Sequence, residues 1–238
     1  MKSQGMTILL PTLDEAKALK NVVKRIPFDE ISSNGWSIRI VVVDGGSTDG
    51  TLELAHELDC QIIRQHGGTG KGRGLREGFA NFIDSNDSAL VMMDADGTYR
   101  PEEIPKLVHI LQEDEADIVI GSRMKGWIEK GAMTRRNWLG NHILTWLAVL
   151  LHRVYISDLC TGFWILNRDS INRMNLNSIG FEIEAEMYAS AAYNKLKIQE
   201  TPIHYDKRIG SSKLGSIGDG IRIAAKLIKR KFVKKPIS

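Results

Sequence analysis

Apolar positions in the first half of the chain follow two alternating periods. Residues 7–10, 38–43, 89–93 and 117–120 are short, nearly unbroken apolar runs; the second is β-branched and closed by Gly45-Gly46. Such runs mark strands covered on both faces. Between them, residues 14–26 carry Leu19, Val22, Val23 and Ile26 at helical spacing. Residues 48–58, 71–83 and 101–113 also read as helices, the last opened by Pro101, and 61–64 as a short strand. Alternating strands and helices predict an α/β fold, a mainly parallel sheet with helices on both faces. Ligands bind such sheets at the carboxyl ends of the strands. Three polar segments, 11–15, 44–49 and 94–98, fall there.

The second half differs. Residues 143–151 are apolar except for Thr145, with Trp138 before them and Trp146 among them. The stretch is shorter than the ~20 residues of a spanning helix. It reads as a core helix or as one lying in a membrane interface, where Trp is favoured. A second helix is predicted over 217–233, with Ile217, Ile221, Ala224, Ile228 and Phe232 on one face and Arg222, Lys226, Lys229 and Arg230 around the rest. The expected organisation is one α/β domain over 1–215 and a basic amphipathic tail over 216–238.

Composition narrows the class. With 42% hydrophobic and 26% charged residues in 238, the chain is neither disordered nor collagenous. Two cysteines, Cys60 and Cys160, have no disulfide-scaffold or zinc spacing, so a reduced, cytoplasmic compartment is expected; no N-terminal signal pattern is visible. The net charge of +3 is uneven: residues 207–238 hold ten Lys/Arg and one acid, leaving the remainder at −6. A basic end on an acidic body predicts an anionic surface as partner, membrane or nucleic acid.

Asp94-Ala95-Asp96, after a buried run, places two carboxylates at one strand end. Oxygen ligands there suit Mg²⁺ or Mn²⁺ shared with substrate phosphates; a turn or helix cap is the plainer alternative. In Asp44-Gly45-Gly46-Ser47-Thr48-Asp49-Gly50, capping accounts for Ser47, Thr48 and Asp49. Asp44 is left over, a candidate acceptor for a base or ribose. Residues 67–74 are glycine-rich but not a P-loop, since Gln65 stands where glycine is needed and Gly72 follows Lys71. Arg123, Lys125, Arg135 and Arg136 form one basic cluster and Arg208 with Lys213 another, the latter in a Gly/Ser loop suited to closing on phosphate. Glu182, Glu184 and Glu186 alternate; they form an exposed helix start, or one of them enters an acceptor site. The six histidines have no metal spacing.

Taken in order, Leu10-Pro11-Thr12-Leu13-Asp14-Glu15, Val43-Asp44-Gly45-Gly46-Ser47-Thr48-Asp49-Gly50, Gly70-Lys71-Gly72, Asp94-Ala95-Asp96-Gly97, Gly121-Ser122-Arg123, Thr161-Gly162-Phe163 and Ser212-Lys213-Leu214-Gly215 resemble glycosyltransferase family 2. The segment Asp158-Leu159-Cys160-Thr161-Gly162-Phe163 is similar to the polyprenyl-phosphate (dolichyl-phosphate) sugar synthases. The resemblance implies a GT-A fold, with a nucleotide-sugar half near 1–123 and an acceptor half near 124–215. It implies that Pro11, Leu13, Glu15, Val43, Asp44 and Lys71 hold the donor nucleotide, with Asp94, Ala95 and Asp96 on its diphosphate through Mg²⁺ or Mn²⁺. Asp94, Asp96 and Arg123 would be catalytic, and Arg123, Arg136, Glu186, Arg208 and Lys213 would serve the acceptor or its phosphate.

Three departures bear on the donor. Gly45 stands where the family commonly has a second Asp, Thr98 where mannose-type members often have Gln, and Gly70-Lys71-Gly72 looks more like UDP-sugar users. The expectation is an inverting transfer of a hexose or N-acetylhexosamine from a UDP-sugar to a polyprenyl phosphate, for glycan assembly such as protein N-glycosylation. A GDP-mannose-dependent enzyme is the alternative. The acceptor implies a protein peripherally bound to the cytoplasmic face of an anionic membrane, with a separate membrane subunit or a homo-oligomer left open. A sugar nucleotidyltransferase would want a glycine-rich loop after the first strand, where Pro11-Thr12-Leu13 stands. A nucleic-acid-binding module would want an aromatic and basic platform that the acidic body lacks.

Overall fold

A computed structural model of the protein describes residues 4–113, 116–210 and 217–233. In chain order the elements are β1 (Gln4–Thr12), α1 (Ala16–Lys24), α2 (Phe28–Ser33), β2 (Trp36–Asp44), α3 (Thr51–Glu57), β3 (Gln61–Arg64), α4 (Lys71–Asp84), β4 (Ala89–Met92), α5 (Ile104–Glu113, led in by a 3₁₀ turn at Pro101–Glu103), β5 (Ile118–Ile128), α6 (Arg135–His152), β6 (Trp164–Asn167), α7 (Arg168–Arg173), α8 (Ile183–Tyr193), β7 (Ile198–Tyr205) and α9 (Ile217–Phe232). The strands form one seven-stranded sheet in the order β3-β2-β1-β4-β6-β5-β7. Only β6 runs against its neighbours β4 and β5.

The apolar runs work as buried strands because both sheet faces are covered. Met6, Ile8 and Leu10 of β1 point into a core built with Leu19, Val22 and Leu107 from α1 and α5. Leu9 points the other way, toward Leu75, Phe79 and Phe82 of α4, in a core that also takes Ala148, Ile183 and Leu227 from α6, α8 and α9. In parallel register, Thr12 at the end of β1 lies beside Asp44 at the end of β2. Alongside β1, β4 leads directly into Asp94. The three polar segments therefore share one edge.

Two sequence expectations change here. Residues 217–232 are not a detached tail: Ile223 and Leu227 are buried against α6 and α8, so α9 belongs to the body. The start of α8 is not exposed either, since Ile183 through Ala191 are all buried.

Candidate active site

The loops after β1 and β2 are stitched to each other. The Asp14 amide donates to Ser47 Oγ (2.8 Å), the Thr48 amide to Asp14 Oδ1 (2.7 Å), the Ala16 amide to Asp49 Oδ2 (3.0 Å) and the Glu15 amide to Thr51 Oγ1 (2.9 Å). Ser47 and Thr48 thus tie loops together; α3 begins at Thr51 without a side-chain cap. The Asp44 carboxylate accepts from the Gly46 amide (2.9 Å) and the Ser47 amide (3.1 Å) and shapes the turn. It is buried, and its two chain neighbours, Val43 and Gly45, line the cleft. Pro11, Leu13, Glu15, Val43 and Gly45 do line the cleft.

The cleft encloses about 870 Å³. Its floor holds Lys71 at the start of α4, Asp94 and Asp96 after β4, Arg123 on β5, Glu184 on α8 and Arg208 after β7. Lys71 Nζ lies 2.7 Å from Asp94 Oδ1 and 2.6 Å from Glu184 Oε1. Burial opposes the lysine charge, but Asp94 and Glu184 outweigh it and hold the ammonium above the ordinary lysine range. Burial pushes the Glu184 carboxyl up, and Lys71 pulls it back.

The glycines around Lys71 have a packing reason. A Cβ on Gly70 would meet the Ile179 carbonyl at 2.4 Å, and one on Gly72 the Ser178 and Gly180 carbonyls at 2.8 Å. The segment before α8 can lie on the start of α4 only because both are glycine. That contact brings Lys71 and Glu184 together.

Asp96 is held on both sides. Oδ1 accepts from the Thr98 amide (2.9 Å) and hydroxyl (2.6 Å), and Oδ2 lies 2.8 Å from Arg208, which also pairs with Glu15. Burial and then Asp94 push the Asp96 carboxyl up, against Arg208 and Thr98. The chain after β7 is fastened to this segment: the Ile209 amide donates to the Asp96 carbonyl (2.9 Å) and the Asp206 amide to the Thr98 carbonyl (2.8 Å).

Arg123 is clamped by Asp158, Nε and Nη2 each donating at 2.7 Å, while Asn141 adds a donor to Asp158 Oδ1 at 2.9 Å. Asp158 is fully buried, so the pair fixes the guanidinium as part of the cleft wall. Gly162 shows why Thr161-Gly162-Phe163 reads as it does. Its amide donates to Tyr99 Oη at 2.6 Å, and a Cβ there would fall 2.3 Å from Asp94 Oδ2.

Of the other expected site residues, Ala95 and Arg136 line the cleft and Lys213 lies outside the described residues. Glu186 is a correction. It is fully buried away from the cleft, accepting from the Asn177 and Ser178 amides (2.8 and 2.7 Å) and from Arg230 Nε of α9 (2.8 Å). Two residues along a helix are roughly 200° apart, so with Glu186 turned toward α9 it is Glu184 that reaches the cleft. Asp158 and Asn141 were not singled out as functional from sequence; their signal was only the presence of Asp158 beside the Thr161-Gly162-Phe163 motif.

Among the described residues no cluster of three or more His, Cys, Asp or Glu forms a metal cage. Asp94 and Asp96 still suit a divalent cation that takes its remaining oxygens from a diphosphate, the usual habit of Mg²⁺.

Known proteins match this architecture. A glycosyltransferase AglJ of Haloferax volcanii is 34% identical over 235 residues, covering 98% of this chain and 74% of that protein. A dolichol-phosphate mannosyltransferase of Pyrococcus furiosus is 30% identical, with 88% and 59% covered. A UDP-N-acetylglucosamine–dolichyl-phosphate N-acetylglucosaminyltransferase of Methanococcus voltae is 25% identical, with 99% and 98% covered. Among solved structures, glucosyl-3-phosphoglycerate synthase from Mycobacterium tuberculosis, in a complex with Mn²⁺, UDP and glucosyl-3-phosphoglycerate, superposes with a TM-score of 0.71 at 19% identity, covering 99% of this chain and 82% of that one. The model of the glycosyl transferase family 2 matches residues 7–174, more than half the chain and running from within β1 through β6, and on that match the chain belongs to glycosyl transferase family 2.

Proposed function

We propose that the protein transfers a hexose or N-acetylhexosamine from a UDP-sugar to a polyprenyl monophosphate, with inversion at the anomeric carbon, working peripherally at the cytoplasmic face of a membrane. The observation that carries this reading is one cleft in which Asp94 and Asp96, Lys71, Arg123, Arg136 and Arg208 converge. The family membership and the polyprenyl-phosphate transferases among its relatives support the acceptor. Lys71 on the floor supports a UDP donor by its likeness to UDP-sugar users. The mannosyltransferase relative keeps a GDP-mannose donor as the second reading. Among the described residues no helix is long and apolar enough to cross a membrane.

The chemistry asks the chain to bring two anions together. A phosphate monoester, with a second pKa near 6, arrives as a nucleophile without a protein base. Arg123 and Arg136 accept its charge, and the Arg123 fork keeps its direction because Asp158 holds the other side. Lys71 meets the donor's phosphates from the floor. Asp94 and Asp96 would hold Mg²⁺ or Mn²⁺, which when bound neutralises the departing diphosphate. The stitched loops after β1 and β2 fix the walls where Pro11, Leu13, Glu15 and Val43 receive the nucleoside.

A thermal-shift panel of UDP, GDP, CDP and dTDP, with and without Mn²⁺, tests the donor, since a native-state ligand raises apparent stability. The expected result is a metal-dependent shift for UDP. A shift for GDP alone moves the donor to GDP-mannose, and no shift from folded protein overturns the donor site. Transfer from UDP-glucose and UDP-N-acetylglucosamine to a polyprenyl phosphate then identifies the sugar.

A further inference from the structure

The outer faces of α6 and α9 are apolar. The helices pack side by side, with Asn141, Thr145 and Ala148 of α6 and Ile223 and Leu227 of α9 turned inward. On the opposite side of α6, Leu139, Ile143, Trp146 and Leu150 recur at helical spacing; on α9, Ile217, Ile221, Ile228 and Phe232 do the same. These eight side chains are 46–77% exposed. The two stripes meet at the cleft, whose lining includes Ile143 and Ile221.

We propose that α6 and α9 together form a bilayer-docking face whose apolar stripes continue into the mouth of the cleft. The occupant follows from charge and from size. The two helices carry seven Lys/Arg and a single acid, Asp219, which is paired with Arg222. Arg135, Arg136, Arg222, Lys229 and Lys231 are exposed around the stripes. A basic rim about an apolar stripe suits an anionic leaflet, whereas a second copy would bring like charges face to face.

The size argument rests on the transferase reading. A cavity of about 870 Å³ is at the scale of a single small-molecule site. With a nucleotide-sugar and a phosphate headgroup inside, a long isoprenoid tail stays outside. The stripes from Ile143 and Ile221 outward are where that tail meets the chain, so it remains in the bilayer while its phosphate enters the cleft.

Deleting α9 is not a clean test, because Ile223 and Leu227 are core. Charge is better placed on outward residues beyond the cleft lining: Trp146→Glu and Leu150→Glu on α6, Ile228→Glu and Phe232→Glu on α9. Flotation uses vesicles of phosphatidylcholine alone and of an equal mixture with phosphatidylglycerol. Wild type is expected to bind the anionic vesicles, less so at high salt. Each helix's pair of substitutions is expected to lower partitioning roughly tenfold or more, with melting temperature unchanged.

Wild type that floats with neither vesicle overturns the proposal, as does loss confined to one helix. A fall in oligomeric state on substitution, seen by light scattering, also overturns it and assigns the face to a second copy. Vesicle binding is read without turnover. If it behaves as expected while no sugar reaches a polyprenyl phosphate, the docking face stands and the transferase reading fails.

Discussion

Replacing Lys71 by Met isolates what the floor of the cleft costs to assemble. Lys71 is ion-paired with both Asp94 and Glu184; the three side chains are 13%, 26% and 6% exposed respectively. Removing one partner of a buried ion pair typically costs 3–5 kcal/mol. Here Glu184 has an escape, because it can bind a proton. From its ordinary value of 4.5, neutralising a carboxyl at pH 7 costs about 3.4 kcal/mol at about 1.36 per pH unit. Burial has already moved Glu184 upward, which makes the cost smaller; Asp94 is wetter and adds less. The expected loss at pH 7 is therefore about 2–3 kcal/mol, or roughly 5–10 °C in Tm for a chain of this size.

The sign with pH is definite. In Lys71→Met the folded-state pKa of Glu184 lies above its unfolded value, so the folded state binds more protons in between and stability falls as pH rises. Melts at pH 5 and pH 8 should show the deficit shrinking at the acid end. Lys71→Met/Glu184→Gln should recover most of the stability without recovering donor binding. A deficit equal at both pH values, or one that Glu184→Gln does not relieve, would refute the reasoning.

Other outcomes can be checked directly. Gly162→Ala should melt near wild type yet lose roughly 10²-fold in turnover, because the new methyl displaces the Asp94 carboxylate. Asp94→Ala should abolish turnover and the Mn²⁺-dependent part of the UDP shift while leaving the fold intact by circular dichroism. Arg123→Ala should lose about 3–5 kcal/mol in urea titrations, because Asp158 stays buried without its fork. Burial pushes the Cys60 thiol up to about 11 and the Cys160 thiol up to about 12, so both should resist Ellman's reagent at pH 8 until the protein is unfolded.

The side of the cleft built by the loops after β1, β2 and β4 was legible because each of its parts is local. A buried strand, a polar turn and a helix start lie within a dozen residues of each other at residues 7–16, 38–51 and 89–101, and parallel topology carries the turns to one edge. Roles inside those turns were less legible. Ser47 looks like a capping residue along the chain, yet its partner is an N–H group brought in by the loop after β1. The strands β6 and β7 were missed for two reasons. Trp164–Asn167 is only four residues long, and Ile198–Tyr205 is an edge strand interrupted by Pro202 and alternating polar residues. The apolar stripe of α9 was read correctly as one face, but nothing in the chain alone says which way it turns. Ile223 and Leu227 settle that by packing inward.

The side of the cleft formed by α8 and the turn before β6 resisted sequence reasoning because its logic is carried by contacts between distant segments. Glu184 and Glu186 are equivalent in pattern; they are separated by Lys71, 113 positions away, and Arg230, 44 positions away. Gly162 is the sharpest case. As a motif residue it has no evident reason to be glycine, and its φ does not require it. The reason is β6, the one reversed strand, inserted between β4 and β5. Its reversal brings the turn before it back to the carboxyl end of β4, where the Asp94 carboxylate rests against the Gly162 backbone and Tyr99 holds its amide. A sheet with β6 parallel would put that turn at the opposite edge. The same reversal places Asp158, four residues upstream, under Arg123 on β5. One antiparallel strand thus joins the Asp94 carboxylate at the end of β4 to Arg123 on β5, through a turn in which Gly162 rests against the first and Asp158 holds the second.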